Sequence, residues 1–351
     1  MSTDYAFDSP PEHRATVRAW LWRQFFVTPP PVRDVDLKGK TAIVTGSNAG
    51  LGFECASQLL DLGLSNLILA VRDEEKGQQA SAKLSSDHQL QDGAIEVWKL
   101  DLLSYDSITA FAERAKTLQR LDIAVLNAGI FKQEFEIAKA APCSSHEESI
   151  QINAISNTLL SILLLPSLKP KRPSDSPGRL VVVSSDVASW SKFTGKDDTE
   201  PILPIYDKPE VFSGWNHYCT SKLFSQLLIS ELARRVPPSV AIITMPNPGL
   251  AYGTGLGRLS RFSIGDYIGD TVKRIFGRPA PLGARTIVAG AVKFGPEAHG
   301  QYVEDGKLEP LAPLKYKPEG ARAAKLLWDE MMTELSFAGI ESILDELSVS
   351  S

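Results

Sequence analysis

Tyr218 and Lys222 stand four residues apart in the run Tyr218-Cys219-Thr220-Ser221-Lys222. On a helix that spacing puts a phenol and an ammonium on one face. A free phenol ionises near pH 10, too high for useful acid–base work at neutral pH. A neighbouring ammonium stabilises the phenolate and brings it into range. Such a tyrosine can protonate a carbonyl oxygen or deprotonate an alcohol. Upstream, Ser184-Ser185 closes an apolar run, where a hydroxyl could donate to a substrate oxygen. A third stretch, Thr45-Gly46-Ser47-Asn48-Ala49-Gly50-Leu51-Gly52, can cradle a pyrophosphate. Gly46 permits a sharp turn, Gly50 close backbone approach and Gly52 tight helix–strand packing, and the following helix offers free N–H groups. Each pattern alone has a plain reading: a surface Tyr/Lys pair, or a glycine turn. Together they predict a nucleotide-dependent oxidoreductase that moves a hydride and a proton.

Those residues need elements to hold them, and the chain alternates. Thr41–Thr45, Leu67–Val71, Ile95–Trp98, Ile123–Leu126, Leu180–Val183 and Val240–Thr244 are short apolar or β-branched runs that read as strands. Helical periods lie between them: Phe53–Leu62, a polar helix capped by Asp73, Ser104–Leu118, Ser149–Leu168 and His217–Arg235. This alternation predicts an α/β fold with a single Rossmann-type, doubly wound parallel sheet and helices on both faces, ligands meeting the carboxyl ends of the strands. Residues 1–37 read as an N-terminal extension closed by Pro29-Pro30-Pro31. The catalytic domain is expected over 38–305, with an insertion at 190–214, and a helical C-terminal extension over 306–351.

Bulk properties narrow the class. A net charge of -5 argues against nucleic-acid binding. Cys55, Cys143 and Cys219 are odd in number and scattered, which suits a reducing compartment, and the five histidines lack ligand spacing, so no metal is expected. No apolar run approaches the ~18 residues of a membrane span, and the start of the chain lacks a secretory pattern. A cytoplasmic location follows as the expectation. Trp20, Leu21, Trp22, Phe25 and Phe26, beside Arg18 and Arg23, read as a helix packed on the domain, with peripheral membrane contact as the alternative.

These motifs in combination resemble the short-chain dehydrogenase/reductase family, over roughly residues 38–305, and within it the retinol-dehydrogenase-like and fungal reductase subgroup. The resemblance implies roles. Gly46, Ser47, Asn48, Gly50, Leu51 and Gly52 form the cofactor loop. Asn127-Ala128-Gly129 stabilises the central sheet and lines the cofactor site. Asn153 holds a water in a proton relay beside the lysine. Ser185 orients substrate, with Ser184 the weaker match. Tyr218 is the general acid/base, and Lys222 binds the nicotinamide ribose and lowers the phenol's pKa. Pro248-Gly249, with Thr254, holds the carboxamide. Two departures stand out: Ser185 and Tyr218 are 33 residues apart, longer than the family's usual gap, and Thr254 lies slightly late.

Arg72, at the end of the second strand, predicts NADP over NAD, because an arginine accommodates the 2′-phosphate and Asp73 is placed to cap the next helix. Asp101-Leu102 is placed to meet the adenine or to cap a helix. Trp190, Phe193, Trp215, Tyr252, Phe262 and Tyr267 predict a hydrophobic carbonyl or alcohol substrate. The extensions are similar to those of fungal reductases of secondary metabolism. A homodimer through 149–168 and 217–235 is expected of the family, with the extensions able to block it. A non-catalytic NADP-binding sensor or scaffold is the alternative function, disfavoured because Tyr218 and Lys222 are both present. A nucleotide-sugar epimerase is disfavoured by the glycine spacing.

Overall fold

The computed structural model describes residues 7–138, 146–171, 176–194, 200–254 and 274–348. Its centre is the predicted parallel sheet: β1 (Thr41–Thr45), β2 (Asn66–Val71), β3 (Ile95–Lys99), β4 (Ile123–Leu126), β5 (Gly178–Val182) and β6 (Ala241–Asn247). Two further strands complete it, β7 (Gln301–Glu304) and β8 (Lys307–Glu309). The order is β8-β7-β6-β5-β4-β1-β2-β3; all pairings are parallel except the terminal β7–β8 hairpin. That hairpin straddles the boundary expected at 305. Its turn is Asp305-Gly306, with φ +51° and +81°, the left-handed pair that a two-residue hairpin turn needs. The Asp-Gly dipeptide is therefore the sequence signal that betrays these strands.

The described helices longer than about one turn are α1 (Val17–Phe26), α2 (Gly50–Asp61), α3 (Glu74–His88), α4 (Tyr105–Lys116), α5 (Glu148–Leu168), α6 (Gly214–Arg235), α7 (Ala280–Val292), α8 (Pro318–Glu334) and α9 (Ile340–Ser348). Each face of the sheet buries its own core. Ile43, Ile68, Ala124, Leu126, Leu180 and Ile243 point to one side, against α4, α5, α6 and the C-terminal helices. Val44, Leu67, Leu69, Val125 and Val181 point to the other, against α2, α3 and α7. This alternation is the period of two expected of strands covered on both faces.

Helix α5 is long and apolar enough to cross a membrane, but 94% of that stretch is buried inside the fold. Helices α8 and α9 lie along α6 and α5. The two long helices through which copies were expected to pair are thus covered by the chain's own tail. Helix α1 packs on the domain: Trp20 meets Trp190 edge to face at 5.6 Å, and Trp190 Nε1 donates to Ala15 O at 2.8 Å. Its other side, with Trp22 and Phe26, stays exposed.

Candidate active site

The glycine loop joins β1 to α2 in the expected form. Gly46 and Gly50 have φ of +63° and +58°, where an L side chain is strained. A Cβ on Gly52 would lie 2.4 Å from Gly46 O, and one on Gly50 would lie 2.9 Å from Thr254 Cα. The segment after β6 therefore folds back over the loop and brings Thr254 to it. Gly249, at φ +71°, makes that turn possible, and its N–H donates to Asn247 Oδ1 at 3.0 Å. Leu51 packs towards Pro248, both bordering Gly283. Ser47 Oγ is buried and has no hydrogen-bond partner among the described residues. An orphaned hydroxyl beside the N-terminus of α2 is what a phosphate oxygen would satisfy, so this loop fits a dinucleotide. Asn48 lies on the same loop.

Asn127-Ala128-Gly129 ties the sheet end together. The N–H groups of Asn127 and Ala128 both donate to Thr45 Oγ1, at 3.0 and 2.9 Å, and Asn127 Nδ2 donates to Thr45 O at 3.0 Å. A Cβ on Gly129 would lie 2.9 Å from Asn153 Oδ1 and 3.7 Å from Lys222 Nζ, so the close approach here requires glycine. Asn153 sits in a π-helical stretch, Gln151–Ser156, of the kind that often marks functional sites. Its side-chain amide makes three hydrogen bonds. Oδ1 accepts from Ile130 N at 2.9 Å, and Nδ2 donates to Ile130 O at 2.8 Å and Ser221 Oγ at 2.9 Å. Both amide hydrogens are thus taken, Oδ1 keeps one lone pair as an acceptor, and the side chain pins the segment after β4 against α6.

Two expected cofactor residues have partners within the fold. Asp101 Oδ1 accepts from Leu103 N at 3.0 Å in a local turn, while the cap of α4 is Ser104, whose hydroxyl accepts from Ser107 N. Leu102 is buried in the core, its carbonyl accepting from Ser156 Oγ at 2.6 Å. Asp73 caps α3 through Lys76 N at 3.2 Å, leaving Arg72 exposed at the mouth, with no ion pair among the described residues.

Tyr218 and Lys222 share the buried face of α6, and Ser185 joins them from the end of β5. Ser184 Oγ accepts from Gln226 Nε2 at 3.0 Å, which fixes it in the interior. Ser185 Oγ instead donates to Asp186 Oδ1 and accepts from Val187 N, each at 3.4 Å, and the hydroxyl lies near enough to the Tyr218 phenol to oppose the rise in its pKa. Gln226 also donates to Ser185 O at 3.3 Å and accepts from Ala312 N at 2.9 Å, so one amide joins the serine pair to the C-terminal segment. The described part of the insertion that fills the 33-residue gap packs back on the fold, with Ile202, Leu203 and Tyr206 buried in the core.

The electrostatics differ from the expectation in one respect. Burial, then the Asp186 carboxylate and Cys219, push the Tyr218 phenol up, and the nearby Ser185 hydroxyl is the opposing influence. Lys222 does not lower it in the protein alone. Its Nζ donates to Val183 O at 3.0 Å, and burial pulls the amine down to about 8. At about 8 the amine is still mostly protonated at neutral pH, so its charge remains available to favour phenolate.

An aromatic wall flanks the phenol. Phe131 stands edge-on to Tyr218 at 5.4 Å, Trp215 lies 6.4 Å away, and Trp190 continues the row at 6.2 Å from Trp215. Trp190 and Trp215 are as predicted; Phe131, two residues beyond Gly129, is an addition. Phe193 is a correction: it packs into the core against Phe224 at 5.1 Å. Tyr252 belongs to a short pairing of Ala251–Tyr252 with Arg278–Pro279. Phe262, Tyr267 and Cys143 lie outside the described residues. Cys219 is fully buried and its thiol is pushed up to about 12 by burial, which suits packing rather than nucleophilic attack. His217 is buried, bonding Ser213 O and Tyr206 O.

Comparison with known proteins agrees with this geometry. A family model described as short chain dehydrogenase matches residues 40–195. The chain is 48% identical over 349 residues, 97% of its length and 99% of the relative's, to short-chain dehydrogenase fogG of Aspergillus ruber. It is 40% identical to short chain dehydrogenase/reductase mfmJ of Annulohypoxylon moriforme, over 91% of its own length and 90% of the relative's. Among solved structures, a short-chain dehydrogenase from Shigella flexneri, complexed with NADP, superposes with a TM-score of 0.52 at 21% identity, covering 78% of this chain and all of that one. With a glycine loop that fits a dinucleotide and this degree of identity across nearly its whole length, the chain belongs to the short-chain dehydrogenase/reductase family of oxidoreductases.

Proposed function

We propose that the protein is an NADP(H)-dependent ketoreductase or alcohol dehydrogenase acting on a hydrophobic carbonyl or secondary alcohol, in fungal secondary metabolism. The observation that carries the reading is the placement of Tyr218 and Lys222 on the buried face of α6 at the strand ends, with Lys222 Nζ bonded to Val183 O and close to Gly129. Gly46, Ser47, Asn48, Gly50, Leu51 and Gly52 would hold the cofactor's phosphates, with Asn127, Ala128, Gly129 and Thr254 along the groove and Pro248-Gly249 shaping its end. Bound there, the nicotinamide supplies or accepts the hydride. Ser185 donates to the substrate oxygen and holds it. Tyr218 gives that oxygen its proton during reduction and takes it back during oxidation. Lys222, still mostly protonated at neutral pH, positions the ribose and sustains phenolate as charge develops. The exposed Arg72 favours the 2′-phosphate of NADP. Phe131, Trp190 and Trp215 form an apolar wall that suits an aromatic substrate and keeps water from the phenol.

A panel of carbonyls, followed by nicotinamide absorbance with each cofactor, tests the reading. Tyr218→Phe should lower turnover by at least about 10²-fold while leaving cofactor affinity nearly unchanged. Full turnover in that variant would refute the acid–base assignment.

A further inference from the structure

Helix α1 meets the turn after β6 through one side chain. Gln24 is buried, and both ends of its amide bond the backbone of Leu250. Nε2 donates to Leu250 O at 2.8 Å, and Oε1 accepts from Leu250 N at 3.2 Å. The Arg278 N–H takes the second lone pair of Leu250 O at 2.9 Å. Gly249 is enclosed by the same two residues: a Cβ there would stand 3.0 Å from Gln24 Oε1 and 3.4 Å from Arg278 Cζ.

The helix that carries Gln24 is itself fixed. Arg278 Nη2 donates to Arg23 O at 3.2 Å and Val27 O at 3.4 Å, which sets a cation against the C-terminal end of α1. Arg23 and Arg14 pair with Glu304, whose Oε1 accepts from Asn247 Nδ2 at 2.7 Å. Asn247 Oδ1 in turn accepts from Gly249 N at 3.0 Å. The N–H groups of Gly249 and Leu250 are therefore both tied to the N-terminal extension, one through Asn247 and Glu304, the other directly. Beyond them, the same segment reaches the glycine loop, where Thr254 stands against Gly50. A short stretch of chain held only at its far end can pivot, and Gln24 holds its base.

We propose that Gln24 is a positioning residue for the cofactor. By clamping Leu250 it fixes the Pro248-Gly249 turn where the nicotinamide end lies, so that the N-terminal extension completes the cofactor site. The assignment of that turn to nicotinamide rests on the function proposed above; the clamp on Leu250 does not.

The test uses full-length wild type, Gln24→Leu, Gln24→Met and His146→Gln, compared at a temperature where circular dichroism shows them folded. Both Gln24 variants lose the two bonds while filling similar space. His146→Gln breaks contacts to Asp207 and Glu334 and serves as a destabilised control away from the turn. Calorimetry measures two ligands: NADPH, and 2′,5′-ADP, which has the adenosine and the 2′-phosphate but no nicotinamide. Each Gln24 variant should bind NADPH about tenfold more weakly and 2′,5′-ADP within about twofold of wild type, because the lost bonds act on one end of the dinucleotide. His146→Gln should keep the wild-type ratio of the two affinities. In the ligand-free protein, the Leu250 amide should exchange its hydrogen at least about tenfold faster in the Gln24 variants. Equal losses for the two ligands in a folded Gln24 variant, or no loss, would overturn the proposal. So would a ratio in His146→Gln that moves as far. A Leu250 amide still protected without Gln24 would refute the clamp itself. If wild type takes NADH in place of NADPH, the NADP assignment fails alone, and NADH against ADP-ribose gives the same comparison. Binding of neither dinucleotide by wild type would refute the proposed function and this role with it.

Discussion

His146 holds two separate parts of the chain together with one proton. Its Nδ1 contacts Asp207 Oδ2 at 2.7 Å, from the insertion, and its Nε2 contacts Glu334 Oε2 at 2.8 Å, from the end of α8. Burial alone would lower the imidazole's pKa; the hydrogen bonds and charges of Asp207 and Glu334 override it and raise the group from 6.5 to about 9. At about 1.4 kcal/mol per unit, that rise is worth about 3 kcal/mol of folding stability. The folded protein binds the extra proton, so the contribution is complete below the unfolded value of 6.5 and is lost as pH rises through 9. Lys222 works in the opposite sense. Its amine is pulled down to about 8, so the unfolded chain holds more protons above that point and stability climbs with pH there. Wild type alone would therefore show a flattened curve. The difference between wild type and His146→Gln removes the lysine, which is common to both. Urea unfolding followed by circular dichroism should give a difference of about 3 kcal/mol near pH 6, shrinking by pH 9 to the ~1 kcal/mol of a neutral hydrogen bond. A difference that stays flat over that interval would refute the reasoning, since it would mean an uncharged imidazole throughout.

Three other outcomes follow from the site. Gly52→Ala drives a methyl against Gly46 O and Asn127 Nδ2, so it should cost about 1–3 kcal/mol in urea unfolding and weaken NADPH binding measured by fluorescence titration. Ser185→Ala should cut turnover by about 10²-fold or more, whereas Ser184→Ala should cost only about 1 kcal/mol of stability through its lost Gln226 bond; the reverse ranking would exchange their roles. Arg72→Glu should reverse the preference between NADP and NAD, read as the ratio of kcat/KM for the two cofactors, and an unchanged ratio would remove Arg72 from recognition.

What could be read from the sequence was whatever local pattern carries. The six parallel strands announce themselves by β-branched runs, and the glycine loop, Asn127-Ala128-Gly129 and Tyr218-x-x-x-Lys222 by spacing. Ser185 was separable from Ser184 only by family likeness; the physical reason, Gln226 taking Ser184, lies 42 residues along the chain. Phe193 misled because an aromatic residue in an unpatterned stretch can face a pocket or a core equally well. The β7–β8 hairpin escaped because its strands are four and three residues long, too short for periodicity to show. The ion pair of Arg23 with Glu304 was beyond any sequence pattern, because its members come from opposite ends of the chain. The π-helical stretch around Asn153 likewise follows from packing, with no signature in composition.

The amide of Gln226 has a practical consequence for anyone building chimaeras of these enzymes. Swapping the tail after β8 between relatives looks like exchanging an appendage, yet a donor segment lacking a well-placed N–H at the position of Ala312 would leave Gln226 Oε1 stranded in the interior. The glutamine would then be free to turn, and the Ser184-Ser185 peptide would lose its clamp. A graft made at the far end of the chain would be felt first at the serine pair, where the proposed substrate-holding hydroxyl sits.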